Sequence, residues 1–174
     1  MSATPTPAAR PLVVLVGPMG AGKSTVGALL AQRLGVGLRD TDDDIVAETG
    51  REIGEIFVDD GESRFRELER SAVGAALGEH TGVLALGGGA VLSPEARDLL
   101  HGHTVVFLDV GLTDAVRRVG LGTSRPLLLG NVRGRLKALL DERHPLYREV
   151  ATLTVDTSGR TPEDVVDEIA KAVG

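Results

Sequence analysis

Runs of aliphatic residues alternate along the chain with segments in which apolar residues recur at helical spacing. The aliphatic runs predict strands at residues 12–16, 36–39, 83–86, 105–108 and 153–155. The helical spacing predicts helices at 23–34, 42–49, 52–58, 62–78, 94–100, 112–119, 131–141 and 162–173. Because strands that are separated by helices form parallel sheets covered on both faces, the pattern predicts an α/β fold of three layers, α/β/α, around a five-stranded parallel sheet.

The length of the chain predicts a single domain. At 174 residues it is long enough for one good core and short for two, and it contains neither repeats nor a low-complexity linker. We expect the domain to span residues 11–174. Residues 1–10 are rich in Ala, Pro and Thr and lack the apolar run of a signal peptide, so we expect them to be a flexible tail.

Composition excludes several classes of protein. The formal net charge of −6 argues against general nucleic-acid binding, which requires a basic surface. No apolar run approaches the ~20 residues that a membrane span needs. The sequence contains no Cys, which excludes disulfides and thiolate metal sites and suits a cytoplasmic protein.

A glycine-rich motif lies between the first predicted strand and the first predicted helix. Residues 17–25 read G-P-M-G-A-G-K-S-T and match G-x-x-x-x-G-K-[ST], the phosphate-binding P-loop. Its glycines let backbone N–H groups point at a phosphate, Lys23 would reach the β/γ-phosphates and the Ser24 hydroxyl would bind Mg²⁺. The alternative is an ordinary Gly-rich turn. The motif predicts ATP binding by Gly20, Ala21, Gly22, Lys23, Ser24 and Thr25.

Acidic residues follow the second predicted strand. If the alternation of the strand persists, Asp40 and Asp42 project to the same side, where one could support the water shell of Mg²⁺ and the other orient an acceptor hydroxyl. The alternative is an acidic helix start with Thr41 as its N-cap. We favour this second interpretation for Asp43 and Asp44, and a ligand role for Asp40 and Asp42.

The third and fourth predicted strands end differently. Gly87, Gly88 and Gly89 would allow a small polar substrate to lie against backbone N–H groups, although a tight turn is the alternative. Asp109 ends the fourth strand, where a Walker B acid would lie. We favour a helix cap for Asp109, because Asp40 and Ser24 already offer a metal site.

Three further segments carry arginines, at 61–70, 120–130 and 143–147. The second is bounded by glycines, as a mobile lid would be. Taken singly, each arginine is better explained as a surface ion-pair partner, for example Arg66 with Glu62.

Taken together, the motifs resemble those of the shikimate kinases, which are P-loop NTPases of the nucleoside-monophosphate-kinase type. The resemblance runs from about residue 12 to 165 and rests on G-P-M-G-A-G-K-S-T, D-T-D at 40–42, I-F at 56–57, G-E-x-x-F-R-x-x-E at 61–69, G-G-G-A at 87–90, S-R-P-L-L at 124–128 and R-H-P-L-Y at 143–147. It implies ATP-dependent phosphorylation of the 3-hydroxyl of shikimate to shikimate 3-phosphate, on the route to chorismate and the aromatic amino acids. It also implies a monomer with a shikimate-binding segment at 40–68 and a lid at 120–132.

The resemblance also implies roles for individual residues on the acceptor side. Asp42 would contact the ring hydroxyls and act as the base. Arg66 and Arg143 would hold the carboxylate, and the glycines at 87–89 would supply backbone contacts. Phe57 and Phe65 could pack on the apolar side of the ring, with a place in the core as the alternative.

On the nucleotide side, Lys23 and the lid residue Arg125 would act on the transferred phosphoryl group. Arg118 and the loop 157–162, with Arg160, would flank the adenine. Asp40 would reach Mg²⁺ through water. Two rival functions are a sister kinase for another polyol acid such as gluconate, and a nucleotide-binding module without catalysis. The acceptor-side acid and arginines argue against both.

Overall fold

The computed structural model of the protein describes residues 10–120 and 131–173. Its five strands are β1 Val13–Val16, β2 Leu38–Asp40, β3 Val83–Ala85, β4 Val105–Asp109 and β5 Leu153–Asp156. They form one sheet in the order β2-β3-β1-β4-β5, and every neighbouring pair is parallel. The predicted α/β fold is confirmed. Residues 1–9 of the predicted tail and residues 121–130 of the predicted lid, with Arg125, lie outside the described residues.

Eight helices accompany the sheet in the described part of the chain. They are α1 Lys23–Leu34, α2 Thr41–Thr49, α3 Ile53–Asp60, α4 Glu62–Glu79, α5 Pro94–Leu100, α6 Leu112–Gly120, α7 Val132–Val150 and α8 Pro162–Val173, and a 3₁₀ turn covers Ala90–Leu92. None of these helices combines the length and the apolarity that crossing a bilayer requires.

The side chains of the central strands alternate between two hydrophobic cores, one on each face of the sheet. Val13 and Leu15 of β1 pack with α1 and α8, whereas Val14 and Val16 pack with α4, α5 and α7. This alternation is the expected consequence of the two-residue period of a strand. Helices therefore cover both faces, as the sequence predicts.

Helix α7 is longer than its sequence predicts. The prediction ends it at residue 141, but the helix runs to Val150 with Pro145 inside it. Proline removes one backbone N–H and so one helical hydrogen bond, to the carbonyl four residues before it. Tyr147, which is 1% exposed and stacks on Phe107 with ring centroids 5.0 Å apart, anchors the last turns to the core. Packing keeps the helix going where the local sequence would end it.

The start of α2 differs from the prediction in one residue. The N-cap is Asp40, whose Oδ1 accepts a hydrogen bond from the Asp42 backbone N–H at 2.8 Å, and not Thr41. Thr41 is instead the first helical residue, and it is buried. The strand alternation does not persist to Asp42, because the chain turns into the helix after Asp40. Asp43 and Asp44 lie in the first turn, as predicted.

Candidate active site

A cavity of about 540 Å³ opens at the carboxyl ends of β1, β2 and β3. Ligands of parallel α/β sheets bind at this edge, because the loops that follow the strands meet there. Twenty residues line the cavity: Met19, Gly20, Gly22, Lys23, Ser24, Thr25, Asp40, Asp42, Ile53, Gly54, Phe57, Phe65, Arg66, Glu69, Leu86, Gly87, Gly88, Gly89, Arg118 and Arg143. The structure thus brings together the P-loop, the acidic turn after β2, the three glycines and three of the predicted arginines.

The P-loop has the backbone that its glycines permit. Gly17, Gly20 and Gly22 have φ angles of 151°, 85° and 88°, which side chains other than hydrogen rarely allow. Gly22 caps α1, so the positive end of that helix faces the cavity. The Lys23 ammonium donates to the carbonyls of Gly17 at 2.6 Å and Pro18 at 3.0 Å. Ala21 is buried and does not line the cavity.

Three carboxylates concentrate negative charge beside the P-loop. Burial raises the pKa of Asp42 to about 6, and the charges of Asp40 and Glu69 add to this effect while Lys23 opposes it. Burial also raises the pKa of Asp40 and of Glu69. Burial thus outweighs the nearby positive charges at all three carboxylates, and a cation or a hydroxyl donor bound here would stabilise their ionised forms.

The same acids test whether Mg²⁺ fits the site. The Oδ1 atom of Asp42 is buried and has no hydrogen-bond partner among the described residues. No group of three His, Cys, Asp or Glu side chains in residues 10–120 and 131–173 could hold a metal alone. Mg²⁺ nevertheless prefers oxygen ligands and is usually bound by one or two protein groups together with phosphate oxygens. The Ser24 hydroxyl and the Asp40 carboxylate are such groups, so the residues present fit Mg²⁺.

Two arginines line the same cavity as these acids. Arg66 pairs with Glu69 at 2.8 Å and with Glu62 at 3.3 Å, so it forms the predicted helical ion pair and still reaches the cavity. Arg143 is only 5% exposed. The Nε atoms of Arg66 and Arg143 are buried without a hydrogen-bond partner in the described part of the chain. Each guanidinium thus has a donor that the described residues leave unpaired, and both arginines line the cavity.

The three glycines leave room for the side chains around them. None of Gly87, Gly88 and Gly89 has a positive φ, so their backbone conformation does not require glycine. A Cβ on Gly87 would approach the carboxylate oxygens of Asp42 and Glu69 at 2.8 Å, and one on Gly89 would overlap the Arg66 guanidinium. Glycine is needed here so that charged side chains can lie against the loop.

Two aromatic rings form an apolar wall of the cavity. The ring centroids of Phe57 and Phe65 lie 4.7 Å apart, and the Arg66 guanidinium carbon lies 5.3 Å from the centroid of Phe65. Phe65 is 4% exposed and packs with Ile45 and Ile56. It therefore fits both interpretations that the sequence left open, as a core residue and as a cavity wall.

The structure separates the two arginines that we expected near the adenine. Arg118 lines the cavity and donates to Gly20 O at 2.9 Å and to Thr157 O at 2.9 Å, which ties the P-loop to the loop after β5. Arg160 does not line the cavity; it pairs with Glu168 at 2.9 Å, on the outer side of α8.

Asp109 is not a wall residue of the cavity. Its Oδ1 accepts from the Val110 N–H at 2.9 Å, and its Oδ2 lies 3.3 Å from His144 Nε2. Since neither contact is with the first turn of α6, the helix cap that we favoured for Asp109 is wrong. Its absence from the cavity lining fits our choice of Asp40 and Ser24 as the metal site.

Comparisons with known proteins identify the family. The family model described as shikimate kinase matches residues 19–174. The chain belongs to the shikimate kinase family. It is 61% identical to the shikimate kinase of Salinispora arenicola, over 92% of this chain and 96% of that one. It is 59% identical to that of Thermobifida fusca, over 93% and 94%.

A solved structure gives the same result for the fold. A shikimate kinase from Acinetobacter baumannii in complex with shikimate superposes with a TM-score of 0.89 at 37% identity and covers 95% of this chain and 93% of its own. The kinase predicted from the sequence is thus confirmed at the level of family and fold.

Two functional candidates in this shikimate kinase family member were given no role from the sequence, although each is the last residue of a motif that carries the resemblance. Glu69 lines the cavity and pairs with Arg66, and Tyr147 donates to the Gly88 carbonyl from behind the glycines. A signal for Glu69 exists, because it lies three residues after Arg66 on one helix face. Tyr147 meets Gly88 across 59 residues of sequence, so no local pattern indicates the contact.

The raised pKa of Asp42 predicts a pH dependence of stability. Its ordinary value is 3.8 and its folded value about 6, so the folded chain keeps a proton that the unfolded chain has already released. The stability that this proton provides is complete below the ordinary value and is lost as the pH rises through about 6. We expect the contribution of Asp42 to the free energy of unfolding to fall by roughly 1–3 kcal/mol between pH 4 and pH 7.

Urea unfolding from pH 4 to pH 7 measures this effect as a difference between wild type and Asp42→Asn. The stability of the variant relative to wild type should rise with pH. Asp43→Asn, in the same helical turn but exposed, is the control and should follow wild type. Parallel curves for wild type and Asp42→Asn would show that the proton is not held at Asp42.

Proposed function

We propose that the chain transfers the γ-phosphoryl group of ATP to the 3-hydroxyl of shikimate, with Asp42, Arg66 and Arg143 as the acceptor site. The observation that carries the proposal is that one cavity holds these three side chains at the open end of the P-loop. Phosphoryl transfer needs positioning and charge stabilisation more than covalent help from the protein, and this cavity can supply both.

On this proposal the two arginines bind the carboxylate of shikimate. A guanidinium presents two parallel N–H donors to a planar carboxylate, and each of these two retains a buried donor. The backbone of Gly87, Gly88 and Gly89 lies against the ring hydroxyls. Phe57 and Phe65 cover the apolar side of the ring, which orients it in the cavity.

Asp42 orients the 3-hydroxyl and accepts its proton. With a pKa of about 6 it is largely ionised at neutral pH and still basic enough to take a proton in the transition state. The oxygen of the hydroxyl then bonds to the γ-phosphorus while the bond from that phosphorus to the bridging oxygen breaks. ADP leaves with the electron pair of the broken bond, and Asp42 holds the proton.

The P-loop binds and stabilises the phosphates. The backbone N–H groups at Gly20–Thr25 and the Lys23 ammonium bind the β- and γ-phosphates. Mg²⁺, which Ser24 and, through water, Asp40 would hold, supplies positive charge to the phosphate oxygens. On this proposal Arg118 flanks the base, which its contact with the P-loop at Gly20 supports. Arg160 would have to leave its ion pair with Glu168 to do so, and the role of Arg125 stays a prediction.

Cytoplasmic location and a monomeric state are also part of the proposal. They rest on the resemblance to the family and on a sequence without Cys. Size-exclusion chromatography with light scattering tests the monomer, which a mass near twice 18.1 kDa would contradict.

Coupled measurement of ADP release tests the reaction and the acceptor together. The protein is given MgATP with shikimate or with gluconate, and calorimetry measures binding in parallel. We expect turnover with shikimate alone. Binding of ATP without turnover of either acceptor would contradict the proposal and leave a nucleotide-binding module, and turnover of gluconate alone would indicate the sister kinase.

A further inference from the structure

A buried tyrosine supports the glycine loop from behind. The Tyr147 hydroxyl donates to the Gly88 carbonyl oxygen at 2.5 Å, although Tyr147 itself does not line the cavity. Its ring is 1% exposed and stacked on Phe107 at the end of the central sheet. The hydroxyl is thus fixed in position by the core and not by the loop that it holds.

This hydrogen bond determines the direction of a second group. In a trans peptide the C=O and the N–H of one unit point in opposite directions. The carbonyl of Gly88 and the N–H of Gly89 belong to one such unit. Since the carbonyl points at Tyr147, the Gly89 N–H points away from Tyr147. Gly88 and Gly89 both line the cavity, whereas Tyr147 does not.

The loop needs such a support because its residues lack side chains. Three glycines in sequence have more backbone freedom than any other tripeptide. The Gly87 N–H donates to Thr41 Oγ1 at 3.3 Å, and the carbonyls of Gly87 and Gly89 accept from the N–H groups of residues 90 and 92. The carbonyl between them, that of Gly88, is the one that Tyr147 holds. Close packing of Asp42, Glu69 and Arg66 against the loop limits where it can lie but not how each peptide is rotated.

The same helix holds the second arginine of the cavity. Arg143 and Tyr147 lie one turn apart on α7. The charge of the Arg143 guanidinium and its hydrogen bond with the Tyr147 hydroxyl oppose the rise in the pKa of Tyr147. The guanidinium also approaches the loop, with Nη1 3.7 Å from where a Cβ of Gly88 would be. One rigid helix therefore sets the position of a cationic group and of a backbone donor together.

We infer that Tyr147 is a positioning residue of the acceptor site, whose hydroxyl rotates the Gly88–Gly89 peptide so that the Gly89 N–H faces the bound acceptor. The inference rests on the proposed function and adds a residue to it. The hydroxyl stays a donor at every working pH, because burial raises the pKa of Tyr147 to about 12.

Tyr147→Phe tests the inference, because it removes the hydroxyl and keeps the stacked ring. We expect the KM and the calorimetric Kd for shikimate to rise about tenfold, the loss of one well-placed hydrogen bond. The KM for ATP and the kcat at saturating shikimate should change by less than about twofold, since the phosphate site is untouched. The backbone amide resonance of Gly89 should shift in the variant even without shikimate.

Thr152→Val is the matched control. It also removes a hydroxyl that donates to a backbone carbonyl, that of Val105 at 2.9 Å, but at the opposite end of the sheet. Its kinetics should equal those of wild type. An unchanged shikimate KM in Tyr147→Phe, or an equal rise for ATP and shikimate, would overturn the inference. Failure of wild type to bind or turn over shikimate would instead contradict the proposed function.

Discussion

Asp42→Asn is expected to lower kcat for shikimate by about 10²–10⁴-fold while leaving ATP binding nearly unchanged. The amide keeps the size of the side chain and can still contact a hydroxyl, but it cannot accept its proton. Calorimetric titration with ATP and steady-state ADP release, measured on the same preparation, separate the two effects. Asp42 is not a phosphate ligand on this proposal, and removal of its negative charge from the neighbourhood of Lys23 does not weaken phosphate binding, so nucleotide affinity should not fall with kcat.

Stability provides an internal check on this variant. Because the ionised carboxylate of Asp42 is less stable in the folded state than in the unfolded chain, the variant should be at least as stable as wild type at neutral pH. Loss of activity could then not be assigned to unfolding. Asp43→Asn should keep full activity. Turnover by Asp42→Asn at the wild-type rate would show that Asp42 is not the base.

The P-loop could be predicted because every step of its recognition is local. Its glycines, Lys23 and the flanking strand and helix lie within 23 consecutive residues, from 12 to 34. The five strands were predicted for a similar reason, since buried parallel strands consist of short aliphatic runs. Only their order in the sheet, with β1 between β3 and β4, comes from the structure.

The acceptor site was harder to predict because contacts between distant segments decide it. Arg66 forms the ion pair with Glu62 that a surface helix would form, yet it also reaches the cavity, and helical spacing cannot distinguish these cases. Asp40 caps a helix and lines the cavity at the same time. A residue that satisfies a local rule is therefore not excluded from a functional role.

Long-range packing also explains the errors at the ends of elements. Pro145 indicates a helix end in the sequence, but the burial of Tyr147 in the core outweighs the loss of one backbone hydrogen bond. Arg160 pairs with Glu168 on the next helix and does not line the cavity, so its place beside the adenine stays a prediction. The length of α7 depends on a contact between Tyr147 and Phe107, which sequence spacing does not bring together.

Arg143→Ala is expected to raise the KM for shikimate by an amount equivalent to roughly 2–5 kcal/mol, with little change in the KM for ATP. The truncation removes a guanidinium that is 5% exposed, so water cannot easily replace it as a partner of the carboxylate. The truncation also removes one of the positive charges that offset the Glu69 carboxylate, so the net charge beside the acceptor becomes more negative. Both effects weaken binding of an anion.

Two further variants test whether the effect of Arg143→Ala on the shikimate KM depends on the planar guanidinium or on positive charge alone. Arg143→Lys keeps the charge but not the two parallel donors, so its shikimate KM should lie between those of wild type and Arg143→Ala. Arg148→Ala, an exposed position five residues further along α7, controls for loss of positive charge from this helix. Equal KM values for Arg143→Ala and Arg148→Ala would remove Arg143 from the site. A Lys variant equal to wild type would mean that charge alone, and not the paired donors, holds the carboxylate.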